Sequence, residues 1–214
     1  MLSLVTLPRY RMDQPTPVED GLALHPVVAA AAEGRLPDWT VAGSARRAHM
    51  ARVAALLDSW AEASGLPDRE RARWRAVGHL HDALRDASHA VLRALVPDQA
   101  GEVSDELLHG PAAAERLRAD GVADEELLAV VAFHTTGDAG FGRLGRALYA
   151  ADYLEPGRGF MTERRAELRA LAPGDLDADT REVARARMAN LEESMPSHPR
   201  TVAFLGRLEA EGHE

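Results

Sequence analysis

Histidines and aspartates recur along the chain where the sequence pattern predicts buried helix faces. An ionised Asp on an apolar face costs on the order of several kcal/mol unless a partner replaces its lost hydration. A lone histidine there is usually satisfied by ordinary hydrogen bonds. Because the same costly choice recurs on several helices, we expect these side chains to converge in one cluster. Five of the six occupy or border an apolar face and one lies at a helix break, in the chain order His49, His81, Asp82, His109, His134 and Asp152.

Such a cluster would carry the donor atoms of a metal site. Imidazole nitrogens and carboxylate oxygens suit one or two divalent ions of the Mn, Fe or Zn kind, and thiolate ligands are excluded because the chain has no Cys. Asp82, next to His81, has two oxygens with which to bridge two ions. Bound ions would offset the burial of the carboxylates and lower the pKa of a water toward about 7, which gives a nucleophile at neutral pH. A hydrogen-bonded ion pair is the alternative explanation of the His81-Asp82 pair.

The elements that must position these residues are helices. Ala, Leu, Arg and Glu dominate the sequence, and only 5% of the residues are aromatic, which favours helix over sheet. Apolar periodicity predicts helices over about 25–32, 44–64, 68–86, 88–95, 160–172 and 178–194. Four further helices are predicted. One begins at Pro111, one begins after Asp124, one covers GRLGRALYAADYLEPG, and one starts near His198. The fold class expected is all-α, with one domain over residues 21–214 behind a proline-punctuated N-terminal extension, residues 1–20.

Capping residues predict several of the helix ends. Ser104 has the side chain of an N-cap, Pro111 suits a first turn, and Asp124 precedes an apolar helix. Gly137 is expected to stop that helix, and Pro156 with the next glycine to end the helix that carries Asp152.

The composition restricts the classes of function. The chain has 214 residues, of which 46% are hydrophobic and 28% charged, which is ordinary for a globular protein. A formal charge of −9 disfavours nucleic-acid partners, which usually meet a basic surface. No apolar run has the length of a membrane span, and the N-terminus lacks a signal-peptide pattern. We therefore expect a cytoplasmic protein with neither a nucleic-acid nor a membrane partner.

The ordered set of histidines and aspartates resembles the H…HD…H…H…D pattern of the HD-domain metal-dependent phosphohydrolases. Four longer stretches resemble the YqeK-type branch, the symmetrical bis(5′-nucleosyl)-tetraphosphatases: LLHGPAAA, FHTTG, ADYLEPGR and SHPRTVAF. The resemblance covers roughly residues 44–205 and implies the helical bundle of the HD domain.

The resemblance also implies a metal centre and a reaction. One ion would be held by His49, His81, Asp82 and Asp152, and a second by His109 and His134 with Asp82 as the bridge. Iron is the metal associated with this branch, and the ligands also suit Mn or Zn. The implied reaction cleaves diadenosine tetraphosphate into two ADP molecules by a metal-activated water, with Asp82 and Arg85 as catalytic residues.

Further residues are candidates for substrate binding. Arg85 stands where many HD enzymes carry Lys, and its guanidinium can hold phosphate oxygens bidentately. Thr135, Thr136 and Gly137 can offer hydroxyl and backbone donors to a phosphate, and Glu155 and Arg158 can line the nucleotide pocket. The simpler interpretations are an exposed helix arginine, a helix C-terminus and a surface turn, respectively.

Three other functions are compatible with the same residues. The site can act on another nucleotide or phosphate ester, or serve as a di-iron oxygenase, since the resemblance to the HD superfamily admits that chemistry. The third alternative is not an enzyme: a nucleotide-sensing module in which the metal has a structural role. The partner expected is a nucleotide substrate, and a homodimer is one assembly that the sequence leaves open.

Overall fold

The computed structural model describes residues 23–98, 103–159, 161–192 and 198–212. These residues form helices, turns and loops, and no strand occurs among them, which confirms the all-α class. The proposed extension over residues 1–20 lies outside the described residues, so it stays a prediction. A short 3-10 helix covers Asp105–Leu107, and the α-helices are α1 (Pro26–Ala32), α2 (Ser44–Ala63), α3 (Asp68–Leu80), α4 (His89–Leu95), α5 (His109–Ala119), α6 (Glu125–Phe133), α7 (Arg143–Leu154), α8 (Thr162–Leu171), α9 (Leu176–Glu192) and α10 (Pro199–Glu211).

Two close helix crossings bring the histidines together. Helix α2 packs on α3, and a Cβ added to Gly78 of α3 would lie 2.5 Å from the Cα of Ala54 in α2. Helix α5 packs on α6 in the same manner, with Gly110 so near the carbonyl oxygen of Ala132 that a Cβ would lie 2.6 Å from it. Because glycine has no side chain, the backbones approach closely at both crossings. Helix α7, which carries Asp152, packs against α2, α3, α6, α8 and α9.

Several of the predicted helix ends are confirmed. The side chain of Asp124 accepts a hydrogen bond from the backbone N–H of Leu127 and caps α6. Helix α6 ends at Phe133, earlier than the predicted stop. Gly137, with a φ of 72°, ends the turn that follows, and its N–H donates to the carbonyl of Phe133. Pro111 lies in the first turn of α5, which begins two residues earlier than predicted. Ser104 precedes the 3-10 helix instead of an α-helix, and its side chain makes no capping hydrogen bond to it.

The prediction of one helix over residues 68–86 is wrong for its last six residues. Helix α3 ends at Leu80, and residues 81–86 form consecutive turns. The segment before α2 accounts for the difference: the N–H of Val41 donates to the carbonyl of Ala83, and the N–H of Asp86 donates to the carbonyl of Val41. The carboxylate of Asp86 also accepts from the N–H of Gly43 at 2.7 Å. These bonds divert backbone groups that a continuing helix would use.

No helix in the described part of the chain combines the length and the hydrophobicity needed to cross a bilayer.

Candidate metal centre

The structure brings all six predicted ligands to one place. His49 lies on α2, His81 and Asp82 directly follow α3, His109 begins α5, and the other two come from the end of α6 and from α7. Each residue is buried, with at most 8% of its surface exposed. As a set of metal ligands they remain a prediction, whose geometry can now be described. The complete set is His49, His81, Asp82, His109, His134 and Asp152.

Four of these residues form the first pocket: His49, His81, Asp152 and the Oδ2 side of Asp82. The Nε2 atoms of His49 and His81 are 3.3 Å apart, and the Nε2 of His49 is 3.1 Å from the Oδ1 of Asp152. The Oδ2 of Asp82 lies 3.7 and 3.6 Å from the same two nitrogens. His49, His81 and Asp152 each offer a donor atom within 4.8 Å of the other two, which is close enough to hold one ion.

The second pocket consists of His109, His134 and the other oxygen of Asp82. The two Nε2 atoms are 3.2 Å apart. The Oδ1 of Asp82 lies 3.2 Å from the Nε2 of His109 and 3.4 Å from the Nε2 of His134. His81, Asp82 and His134 also meet the spacing of an ion site. Asp82 therefore directs one oxygen into each pocket, which is the arrangement of a bridging ligand.

The outer nitrogen of each imidazole is held by an acceptor. The Nδ1 atoms of His81, His109 and His134 donate to the backbone carbonyls of residues 78, 106 and 131, at 2.8 to 2.9 Å. A carbonyl can only accept, so each Nδ1 carries the proton and each Nε2 keeps its lone pair. The Nδ1 of His49 lies 3.2 Å from the carboxylate Oε1 of Glu155. Such partners fix the tautomer and ring orientation of a metal-binding histidine.

The donor set fits a divalent cation on physical grounds. In each pocket two nitrogen lone pairs face each other at hydrogen-bond distance with no proton to share, and a carboxylate oxygen lies beside them. Lone pairs and negative charge crowded together in a buried space repel each other. A cation between them turns that repulsion into attraction. The arrangement is therefore more consistent with ion binding than with a self-contained hydrogen-bond network.

The pKa values have the directions that metal ligands need. Burial lowers the pKa of His81 to about 4, and burial also lowers the pKa of His109. Burial alone would raise the pKa of Asp82, but the imidazoles of His81, His109 and His134 beside it hold that pKa well below its ordinary range. The pKa of Asp152 is likewise well below its ordinary range, because Arg187 and His49 outweigh the effect of burial. His81 and His109 are therefore neutral near neutral pH, and Asp82 and Asp152 are ionised.

Three arginines contact the two carboxylates, and two of them were not among the predicted site residues. Arg46 donates to the Oδ2 of Asp82 at 2.6 Å, Arg158 to the Oδ1 of Asp152 at 2.7 Å, and Arg187 to the Oδ2 of Asp152 at 2.7 Å. Arg46 lies one helical turn before His49 on the same face of α2, so its position was detectable from the sequence. Nothing local distinguishes Arg187 from the other arginines of α9.

Glu155, predicted to contact the substrate, lies behind His49. Its carboxylate faces the Nδ1 of His49 and accepts from Arg52 and from the N–H of Gly157. Burial would raise the pKa of Glu155, but Arg52 and the N–H of Gly157 lower it to about 2. The charge is therefore retained next to His49, where it orients that imidazole.

The other predicted contacts are placed at different distances from the pockets. The hydroxyl of Thr135 is 3.1 Å from the Nε2 of His134, at the edge of the second pocket. The hydroxyl of Thr136 is directed instead to the carbonyls of residues 133 and 137, and Gly137 packs against Phe204 of α10. Arg85 is half-buried. Burial is the main cause of the lowered pKa of His109, and the positive charge of Arg85 lowers that pKa further, so the two side chains lie near each other.

Comparisons with known proteins place this geometry in context. A family model described as HD domain matches residues 46–157, which contain all six residues of the cluster. The symmetrical bis(5′-nucleosyl)-tetraphosphatase of Halalkalibacterium halodurans is 30% identical over 148 residues, which is 66% of this chain and 77% of that protein. The protein of the same name from Bacillus subtilis is 32% identical over 114 residues, 51% of this chain and 60% of that protein.

A solved structure shares the fold. It is a crystal structure from Clostridium acetobutylicum, described as a predicted HD superfamily hydrolase involved in NAD metabolism, with a TM-score of 0.69 and 24% identity. The similarity covers 86% of this chain and 96% of that chain. It therefore covers more of the chain than residues 46–157, which the family model matches.

Proposed function

Because the chain belongs to the HD domain family and groups with its symmetrical bis(5′-nucleosyl)-tetraphosphatases, we propose that it is a metal-dependent hydrolase of dinucleoside tetraphosphates. Diadenosine tetraphosphate would be cleaved into two ADP molecules. The observation that carries the proposal is the pair of buried pockets joined by the two oxygens of Asp82. Both curated relatives described above bear the name of this activity.

We propose that each of the two pockets binds one ion through its own residues. His49, His81 and Asp152 with the Oδ2 of Asp82 hold one divalent ion, and His109 and His134 with the Oδ1 of Asp82 hold the other. Iron is the proposed metal, and Mn and Zn are compatible with the same donors. When bound, two such ions supply a water of lowered pKa and positive charge for the phosphate oxygens.

The protein residues keep this centre in one geometry. Backbone carbonyls and Glu155 fix the four imidazoles with their Nε2 atoms inward. Asp82 connects the two pockets, so the separation of the two sites depends on one side chain. A preformed arrangement of this kind reduces the reorganisation that is needed when charge develops on the substrate.

The substrate is held by cationic and polar groups at the mouth of the centre. Arg46 and Arg158 have side chains 29% and 34% exposed, beside the pockets, and Arg85 lies half-buried on the side of His109. Guanidinium groups suit the oxygens of a polyphosphate, and the hydroxyl of Thr135 adds a donor. The whole chain carries a formal charge of −9, so a polyanion needs this local positive charge. Thr136 and Gly137 shape the loop, and Glu155 acts through His49.

Product analysis tests the proposal directly. Protein loaded with Fe²⁺ or Mn²⁺ and incubated with diadenosine tetraphosphate should yield ADP as the only nucleotide product. ATP with AMP would refute symmetrical cleavage. A panel of nucleoside monophosphates and other phosphate esters tests the alternative substrates, and ADP formation should exceed all of these reactions. The Asp82→Ala variant is the control, because it removes the shared ligand and should abolish both turnover and bound metal.

The proposal extends to partners and location. The nucleotide is the expected partner, nucleic acid is not, and the protein acts in the cytoplasm. A homodimer is the assembly to test, by light scattering of the full-length chain at several concentrations.

A further inference from the structure

Arg187 joins helix α9 to both halves of the metal centre. Its Nη2 donates to the Oδ2 of Asp152 at 2.7 Å, and its Nη1 donates to the carbonyl of Thr135 at 3.3 Å. Asp152 belongs to the first pocket, while Thr135 follows His134 of the second. Helix α9 lies beyond residue 157, where the match to the family model ends. One side chain from outside that region thus spans the two pockets.

Aromatic rings hold the guanidinium of Arg187 in place. Its central carbon lies 4.3 Å from the ring centre of Tyr149 and 5.5 Å from that of Tyr153, both on α7 with Asp152. Only 14% of the side chain is exposed. Stacking on aromatic faces in a partly desolvated place favours Arg over Lys. The orientation of the guanidinium is therefore set by α7, the same helix that carries its carboxylate partner.

This contact distinguishes the two oxygens of Asp152. Oδ1 faces the first pocket, 3.1 Å from the Nε2 of His49, whereas Oδ2 is bonded to Arg187. An unheld carboxylate turns readily about its last torsion, and it can then offer either oxygen or both. Arg158 is different, since it bonds to Oδ1, the oxygen that an ion would take. Arg158 therefore shares with an ion the oxygen that faces the pocket, whereas Arg187 does not.

We infer that Arg187 is a positioning residue of the first pocket. By holding Oδ2 it makes Asp152 a one-oxygen ligand whose Oδ1 is already directed into the first pocket. Its second bond, to the carbonyl of Thr135, anchors the guanidinium itself. The inference rests on the proposed two-ion centre, but not on the identity of the substrate. Loss of the guanidinium should weaken the first pocket while leaving the second one able to bind.

A matched pair of variants on one helix tests the inference. Arg187→Met removes the fork, and Arg185→Met is the control, since Arg185 is 48% exposed on the same helix and pairs with Glu182 and Glu209. After loading with Mn²⁺ and desalting, elemental analysis should give two ions per chain for the unmodified protein and for Arg185→Met. Arg187→Met should retain one, because its first-pocket affinity should fall at least tenfold.

A second variant identifies which ion is lost. His109→Ala disables the second pocket and should retain one ion, and the double variant with Arg187→Met should retain none. One ion left in the double variant would show that Arg187 does not serve the first pocket, and two ions in Arg187→Met alone would overturn the inference outright. Fewer than two ions in the unmodified protein would overturn the two-ion centre together with the inference. Two ions without ADP formation would refute only the proposed substrate.

The conservative variant separates positioning from simple charge balance or folding. Lys keeps the charge but cannot hold both acceptors with a planar fork, so Arg187→Lys should bind the first ion with an affinity between those of Met and Arg. Thermal unfolding reports whether each variant is folded. If Arg187→Met does not fold, Arg187→Lys decides. Unchanged affinity and an unchanged visible spectrum of the Co²⁺-loaded Lys variant would overturn the inference.

Discussion

At the scale of single residues, Asp82 and Glu155 have opposite relations to the pockets. Asp82 exposes its two oxygens to two sets of Nε2 atoms, so its charge is shared between two sites. Glu155 is turned away from both pockets and reaches them only through the ring of His49. A buried carboxylate of this kind fixes the tautomer and the orientation of its histidine. Its effect on ion binding should therefore be measurable separately from that of a direct ligand.

Glu155→Gln should weaken the first ion without removing it. The amide can still accept from the Nδ1 of His49, but it loses the negative charge, and changes of this class typically reduce metal affinity by about 10- to 100-fold. A Co²⁺ titration followed by absorbance measures the change. Glu115, which is half-buried and pairs with Arg118 away from the centre, provides the control as Glu115→Gln. Equal affinities for Glu155→Gln and the unmodified protein would show that the carboxylate has no role in the centre.

Arg46→Met should raise KM for diadenosine tetraphosphate more than it changes kcat. Arg46 contacts Asp82 from a half-exposed position, so an ion on Asp82 would free the guanidinium for a phosphate. Loss of one such charge-assisted bond corresponds to about 1.5–3 kcal/mol, or roughly tenfold or more in KM. The adjacent Arg47, which donates to the carbonyl of Ala42, is the matched control as Arg47→Met. An equal rise of KM in both variants would point to a general loss of charge instead.

At the scale of helices, the centre depends on how closely neighbouring helices approach. His49 on α2 and His81 after α3 meet because Gly78 lets the two backbones touch at Ala54. The helix ends at Leu80, and the side chains of both His81 and Asp82 face the centre. The geometry of the pockets is thus set by backbone packing as much as by the ligands themselves.

Gly78→Ala should destabilise the fold by about 1–3 kcal/mol, because its Cβ would overlap with the backbone of Ala54 and force the helices apart. The Tm and the number of bound ions per chain should both decrease. Gly206→Ala on α10 is the control, since a Cβ there meets no atom within 4 Å, and Ala is the better helix former by about 1 kcal/mol. A lower Tm for Gly206→Ala than for Gly78→Ala would contradict this explanation of the crossing.

Helix α9 also carries a buried acid that should make stability depend on pH. Asp179 is 3% exposed, its oxygens have no hydrogen-bond partner among the described residues, and burial raises its pKa to about 7. The unfolded chain releases this proton near pH 4 and the folded chain only near pH 7, so folding stability falls as the pH rises between these values. The largest loss of folding stability that this ionisation can cause is about 4 kcal/mol.

Asp179→Asn should therefore unfold at a higher temperature than the unmodified protein at pH 8, with a much smaller difference at pH 4. Thermal melts between pH 4 and pH 8 measure how the difference in Tm between the two proteins changes with pH. A constant difference at every pH would show that the ionisation of Asp179 does not affect folding.

At the scale of the whole molecule, the centre ties distant parts of the chain together. Its proposed ligands come from residues 49 to 152 and from five separate segments, and Arg187 adds a sixth. An ion that binds only the folded arrangement stabilises that arrangement by mass action. Without it, the pockets keep facing lone pairs in a buried space.

Removal of the metal should consequently lower the Tm of the entire domain. At an ion concentration of one hundred times Kd, the stabilisation is about 2.7 kcal/mol per site, enough for a shift of several degrees in a melt after chelation and reloading with Mn²⁺. Asp82→Ala should show no such shift. An equal response in that variant would mean that the ions stabilise the protein elsewhere.

The sequence by itself determined the all-α class, the extent of most helices and the six residues of the cluster. These properties depend on residue type and on spacing within one or two helical turns, which are local. Long-range contacts decided the rest. The end of α3 depends on backbone bonds to Val41, the orienting role of Glu155 depends on a histidine 106 residues away, and Arg187 depends on a helix that packs back onto α7. No local pattern encodes such contacts, because the free energy that selects them arises only when the helices pack.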